Sequence, residues 1–145
     1  MKTRHSLNVE APRRRRIRFR PEQDLQRQVA LLMSYALYPT VFFFHCPNGG
    51  ARSPIEGAIL KTMGVKAGVP DLNFIWQGRY YGIELKAPGE TLSESQRETQ
   101  PKMREAGARI EVAQSIEEVV HFLIQFDIPL KLCAEEIRAW VRRAA

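Results

Sequence analysis

Residues 68–86 read GVPDLNFIWQGRYYGIELK, and the fold of this stretch constrains everything around it. Two β-prone segments, Asp71 to Trp76 and Arg79 to Lys86, flank Gln77-Gly78, which reads as a two-residue turn. In the first segment, alternation gives Leu72, Phe74 and Trp76 one face and Asp71, Asn73 and Ile75 the other. In the second, Tyr81, Ile83 and Leu85 share a face, opposite Gly82, Glu84 and Lys86. A hairpin closed at Gln77-Gly78 sets Asp71 directly across from Glu84, with Cβ atoms roughly 4.5–5.5 Å apart. A slip of one residue would separate them, so the inference depends on the turn.

Two carboxylates and a lysine then converge at the end of a sheet whose other face is apolar. Adjacent carboxylates repel unless a cation lies between them. Two carboxylate oxygens, a backbone carbonyl such as that of Leu85, waters and a phosphate oxygen suit octahedral Mg²⁺ or Mn²⁺. Such an ion polarises a phosphate and lowers the pKa of a bound water. Lys86 could position or deprotonate that water, or steady developing charge; the sequence does not choose among these roles. The same spacing also fits a solvated Glu84–Lys86 ion pair worth about 0–1 kcal/mol, with Asp71 as a turn residue. Spacing alone leaves both readings open.

Outward from the hairpin, helices and strands alternate. On the N-terminal side, Leu25, Val29, Leu32 and Ala36 recur at helical spacing between Pro21 and Pro39. Val41 to Phe44 predicts a short buried strand, Pro47-Asn48-Gly49-Gly50 a loop, and Ile55 to Met63 a helix capped at Gly64. On the C-terminal side, Ser93 starts a helix that Pro101 interrupts and Gly107 ends. A strand over Arg109–Ala113, an amphipathic helix over Ser115–Phe126 and a last helix over Leu132–Arg143 complete the chain. This order predicts an α/β fold, a mixed sandwich around a small central sheet.

Composition narrows the functional classes. The chain has 145 residues, 44% of them hydrophobic, enough for one domain with its own core. No stretch approaches the ~18 apolar residues of a membrane helix. No secretory pattern follows the basic start, and Cys46 and Cys133 stand alone, without metal or disulfide spacing. The expectation is a cytoplasmic protein without membrane or zinc, phage or bacterial and associated with the nucleoid.

The net charge is +6, but residues 1–20 hold eight basic residues against one acidic. Residues 21–145 hold 14 and 15, so the body is nearly neutral. Residues 1–20 read as a flexible basic arm in which Arg13, Arg14, Arg15 and Arg16 form a run. Such an arm adds sequence-blind affinity for phosphate backbones, or simply keeps a leader soluble.

These blocks, in this order, resemble a known family. Gly68-Val69-Pro70-Asp71, then twelve residues, then Glu84-Leu85-Lys86 is similar to the PD-(D/E)xK nuclease signature. The blocks Pro47-Asn48-Gly49-Gly50-Ala51-Arg52, Met63 to Asp71, and Leu92-Ser93-Glu94-Ser95-Gln96 make the resemblance specific to stand-alone VRR-NUC domains of phage and bacterial type. The likeness runs from about Pro21 to Phe126. It implies a nuclease domain over 21–127, with a C-terminal helical extension over 128–145. The implied fold is restriction-endonuclease-like, a mixed central β-sheet flanked by helices.

The resemblance implies a DNA endonuclease that takes Mg²⁺ or Mn²⁺ on Asp71, Glu84 and the Leu85 carbonyl, with Lys86 in catalysis. Glu22 stands where the family often adds an acidic residue, although it also complements a helix N-terminus. Gln96 matches a family glutamine near the metal water, although Ser93-x-x-Gln96 is also a capping box. Asn48, Arg52 and Lys66 fall in loops suited to phosphate, while Asn48 fits a turn equally well. His45 and His121 read as packing or surface residues. Small members of the family resemble homodimers acting on branched DNA, notably four-way junctions. A catalytically inactive nuclease-fold module that only binds DNA is the rival expectation.

Overall fold

The computed structural model describes residues 21–47 and 52–144. Asn48 and the arm residues Arg13, Arg14, Arg15 and Arg16 lie outside the described residues. The elements are α1 (Pro21–Ala36), β1 (Phe42–His45), α2 (Pro54–Thr62), β2 (Leu72–Trp76), β3 (Arg79–Leu85), α3 (Glu94–Glu105), β4 (Arg109–Ala113), α4 (Ile116–Gln125) and α5 (Ala134–Ala144). Their order is the one the sequence predicts.

The four strands form one sheet in the order β1-β2-β3-β4. β1, β2 and β3 pair antiparallel, and β4 lies parallel to β3 after the crossover through α3. The fold is therefore α/β with a mixed sheet. The hairpin register is the expected one, with Leu72 opposite Ile83 and Asn73 opposite Gly82. Gln77 (φ 48°) and Gly78 (φ 71°) are both left-handed, the conformation that matches a two-residue turn to strand twist.

Alternation sorts the two faces of the sheet. Leu72, Phe74, Tyr81, Ile83 and Leu85 form a buried cluster with Val29, Leu32 and Met33 of α1 and Val119, Val120 and Leu123 of α4. Burial of such side chains is the main stabilising term, about 1.5–3 kcal/mol for each large one. The last helix joins the same core. Ile137 is buried, with Leu132, Trp140 and Val141 packed against it, and Lys131 N–H donates to Ala36 carbonyl at 2.7 Å. The apolar residues of the C-terminal segment thus pack within the molecule.

Three expectations need correction. β1 is an edge strand shifted by one residue, and Phe42 is 64% exposed, so the aromatic run is not a buried strand. It has a strand neighbour on one side only, and its side chains are exposed at Phe42 and His45 and half-buried at Phe43 and Phe44. β2 starts at Leu72, with Asp71 in the bend before it. α3 runs unbroken through Pro101, which lies on its exposed side and forgoes only its own N–H bond.

α2 differs from the other helices in burying none of its residues. Ser53 and Glu56 close a full capping box, with Pro54 in the first turn, so local chemistry holds the helix. Its Ile55 and Ile59, and Met63 at its C-cap, remain 73%, 53% and 73% exposed.

Candidate active site

The sheet face opposite the core carries the polar cluster. Asp71 sits at the mouth of β2, and its Oδ2 accepts the Leu85 N–H at 3.0 Å. That bond ties the carboxylate to the end of β3, beside Glu84. Glu84 is only 1% exposed, and Lys86 is 8% exposed. Lys86 Nζ stands 3.5 Å from Glu84 Oε1 and 3.4 Å from Glu22 Oε1. The hairpin geometry thus brings Asp71, Glu84, Leu85 and Lys86 together. Glu22, from the first turn of α1, reaches the cluster through the lysine.

A carboxylate this buried must be satisfied by neighbours. α3 does this with two glutamines one turn apart. Gln96 Nε2 donates to Glu84 Oε1 at 2.5 Å, and Gln100 Nε2 donates to Glu84 Oε2 at 3.1 Å. Gln96 also closes the capping box of α3, its Oε1 accepting the Ser93 N–H at 2.8 Å. One end of the amide thus closes the cap while the other meets Glu84. Gln100 is fully buried, and its Oε1 has no partner among the described residues. Sequence reasoning missed Gln100, although its position four residues after Gln96 puts it on the same helix face.

The electrostatics follow from this crowding. Burial pushes the Glu84 carboxyl from an ordinary 4.5 up to about 8, and the nearby Asp71 charge adds to the rise. Lys86 pulls the other way. Burial disfavours the Lys86 ammonium, but Glu84 and Glu22 outweigh it and hold its pKa above the usual lysine value. Glu22 is raised by burial and by a hydrogen bond with Glu90, against the pull of Lys86.

Beside the carboxylates lies a second polar group that sequence reasoning also missed. Asn73 is 1% exposed and accepts a short hydrogen bond from the Tyr80 hydroxyl. Burial, then Cys46, raises the Tyr80 phenol to about 12, so it remains a donor at neutral pH. His45 is exposed, and its Nδ1 lies 2.8 Å from the Asp71 carbonyl. Of the loop cations, Arg52 is exposed and donates to the Pro47 carbonyl at 3.3 Å. Lys66 is exposed in the loop before Asp71. The structure shows neither in contact with the carboxylate pair.

The donor set limits what ion could be held. Among the described residues, no three His, Cys, Asp or Glu side chains converge as a cage. The hard oxygen donors of Asp71 and Glu84 suit Mg²⁺ or Mn²⁺ by their chemistry.

Comparison with known proteins follows the same line. The VRR-NUC domain family matches residues 14–117. A solved structure described as a VRR_NUC domain protein is 26% identical, with a TM-score of 0.54, over 72% of this chain and 85% of that one. Another, described as a VRR_NUC domain, is 19% identical with a TM-score of 0.47, covering 72% of this chain and 95% of its own. No curated protein matches the chain.

Proposed function

The chain belongs to the VRR-NUC domain family, a nuclease-type family, and on that premise we propose that it is a metal-dependent DNA endonuclease with Asp71, Glu84 and Lys86 as its active site. The observation that carries this reading is the pair of carboxylates closed across the hairpin, with Lys86 Nζ 3.5 Å from Glu84. Asp71, Glu84 and the Leu85 carbonyl would hold Mg²⁺ or Mn²⁺, with Glu22 at the margin. When bound, the ion supplies charge neutralisation at the scissile phosphate and a more acidic attacking water.

The chain's own residues do the rest. The Leu85 N–H holds Asp71 Oδ2 at 3.0 Å, and a hydrogen bond with Glu84 ties the two carboxyl groups together where a cation would sit. Gln96 and Gln100 hold both oxygens of Glu84 and fix its orientation. Lys86, kept protonated by two carboxylates, steadies negative charge building on the phosphate. Arg52, Lys66 and Asn48 would take the flanking phosphates, and Arg13, Arg14, Arg15 and Arg16 would add salt-dependent affinity.

The test is cleavage of labelled four-way junction, flap, duplex and single-stranded DNA, with Mg²⁺, Mn²⁺ or EDTA. Metal-dependent cutting is expected, favouring the junction. Binding without cutting under both metals would replace the enzyme with a DNA-binding module.

Glu84 also sets a pH dependence. Between about 4.5 and 8 the folded, metal-free protein keeps a proton that the unfolded chain has released. Its stability contribution is therefore present at low pH and lost as pH rises through about 8. In EDTA, the melting temperature is expected to fall over this window, and Glu84→Gln to flatten the fall. Mg²⁺ should raise the melting temperature more at pH 8.5 than at pH 6, because binding must displace that proton. Equal shifts at both pH values would remove Glu84 from the metal site.

A homodimer acting on branched DNA completes the proposal. Support comes from the apolar stripe of α2, exposed among the described residues, and from a body too near neutral to repel a second copy. Ile59→Glu is expected to weaken self-association by at least about tenfold, a charge in an apolar contact costing more than 1.4 kcal/mol. Sedimentation equilibrium reads this directly; an unchanged dimer would move the interface elsewhere.

A further inference from the structure

The peptide unit that carries Asp71 is gripped by side chains from two strands, Asn73 of β2 and His45 of β1. Asn73 Nδ2 lies 3.0 Å from the Pro70 carbonyl, 3.3 Å from the Asp71 carbonyl and 3.4 Å from the Phe44 carbonyl. The Asp71 carbonyl also takes the Cys46 N–H at 3.2 Å and faces His45 Nδ1 at 2.8 Å. Asn73 is in turn held by the Tyr80 hydroxyl on its Oδ1.

This arrangement is possible because of Gly82. Asn73 pairs with Gly82, and Tyr80 lies two residues before it on the same strand face. A Cβ on Gly82 would stand 2.6 Å from Pro70 Cγ and 3.3 Å from the Tyr80 hydroxyl. The glycine leaves the space in which the Pro70 ring packs and across which the Tyr80 hydroxyl meets Asn73. An asparagine buried to 1% would otherwise leave its Oδ1 unpaired, at a cost of about 1–3 kcal/mol.

We propose that Asn73 and Tyr80 are positioning residues for the Asp71 carboxylate, fixing the Pro70–Asp71 turn so that Asp71 meets both the Leu85 N–H and the cation. The inference rests on the nuclease reading for its cation and on the hydrogen bonds alone for its geometry. Neither residue touches the substrate. Both act through the backbone that aims Asp71, much as outer hydrogen-bond partners orient the ligands of metal sites.

The test compares wild type, Asn73→Leu and Tyr80→Phe as full-length ¹⁵N-labelled protein, by amide exchange and by calorimetric titration with Mn²⁺. The Leu85 amide reports the Asp71 contact at 3.0 Å, and the Lys86 amide, bonded to the Ala113 carbonyl at 3.0 Å, reports the sheet itself. In Asn73→Leu, the Leu85 amide should exchange at least about tenfold faster with Lys86 unchanged, and Mn²⁺ affinity should fall about 10–100-fold. Tyr80→Phe keeps the ring and should show a smaller change in the same direction, so the test survives if Asn73→Leu does not fold. Leu85 and Lys86 accelerating together would mean general loosening and overturn the proposal. Unchanged Leu85 exchange and Mn²⁺ affinity would overturn it equally. If wild type binds no Mn²⁺ while Leu85 still responds selectively, the nuclease reading falls and the positioning of the Asp71 turn stands.

Discussion

Asp71→Asn is expected to lower metal-dependent cleavage on the order of 10³-fold or more, since losing one carboxylate ligand removes about 4 kcal/mol or more of transition-state stabilisation. The fold should survive, because asparagine keeps the shape and an oxygen for the Leu85 N–H at 3.0 Å. Asp71 is also one of the groups that raise Glu84, so its neutralisation relieves a buried repulsion. In EDTA at pH 8 the variant should therefore melt no lower than wild type while cutting almost nothing. A nuclease site built from adjacent carboxylates makes this opposition of stability and activity necessary: the charges that attract a cation repel each other without one. Activity assays paired with calorimetry decide the matter. If cleavage and melting temperature fall together, Asp71 is a structural residue and the catalytic assignment loses its centre.

The hairpin was legible in the sequence because its information is local. Alternation sorted Leu72, Phe74, Ile83 and Leu85 from Asp71 and Glu84, and the turn at Gln77-Gly78 set the register that brings the carboxylates together. What escaped is what depends on packing between distant segments. The i, i+4 spacing puts Gln100 on the helix face of Gln96, but that its amide meets Glu84 requires α3 to lie across the polar face of β3. Asn73 and Tyr80 read as ordinary strand residues until the gap at Gly82 shows why they touch. β1 misled for a related reason. Its aromatic run looks like a core strand, yet only Phe43, half-buried, reaches Phe74, with ring centroids 5.1 Å apart, and Phe42 faces outward. Hydrophobicity predicts that a strand seeks cover, not that this chain alone provides it.

Gly68→Ala is expected to destabilise the protein by about 2–5 kcal/mol, combining a left-handed backbone penalty of about 1–2 with the strain of an overpacked contact of about 1–3. Gly68 has φ +82°, and a Cβ there would lie 2.2 Å from the Ser95 carbonyl oxygen and 2.7 Å from the Gln96 nitrogen. Those are backbone atoms of the first turn of α3, which cannot swing aside as a side-chain tip would. Thr99 Oγ1 donates to the Ala67 carbonyl at 2.7 Å, so loop and helix are fastened on both sides of the close approach. The loop delivers Asp71 and the helix delivers Gln96 and Gln100 to Glu84, so prying them apart disturbs both halves of the site. Gly64→Ala separates the two costs. Gly64 has nearly the same φ, +86°, but a Cβ there meets nothing within 4 Å, so only the backbone penalty of about 1–2 kcal/mol applies. Denaturant unfolding of the two variants should therefore place Gly68→Ala well below Gly64→Ala, with cleavage impaired only in the former. Equal losses would mean that the loop yields without moving α3, and that Gly68 is present for its backbone angle alone.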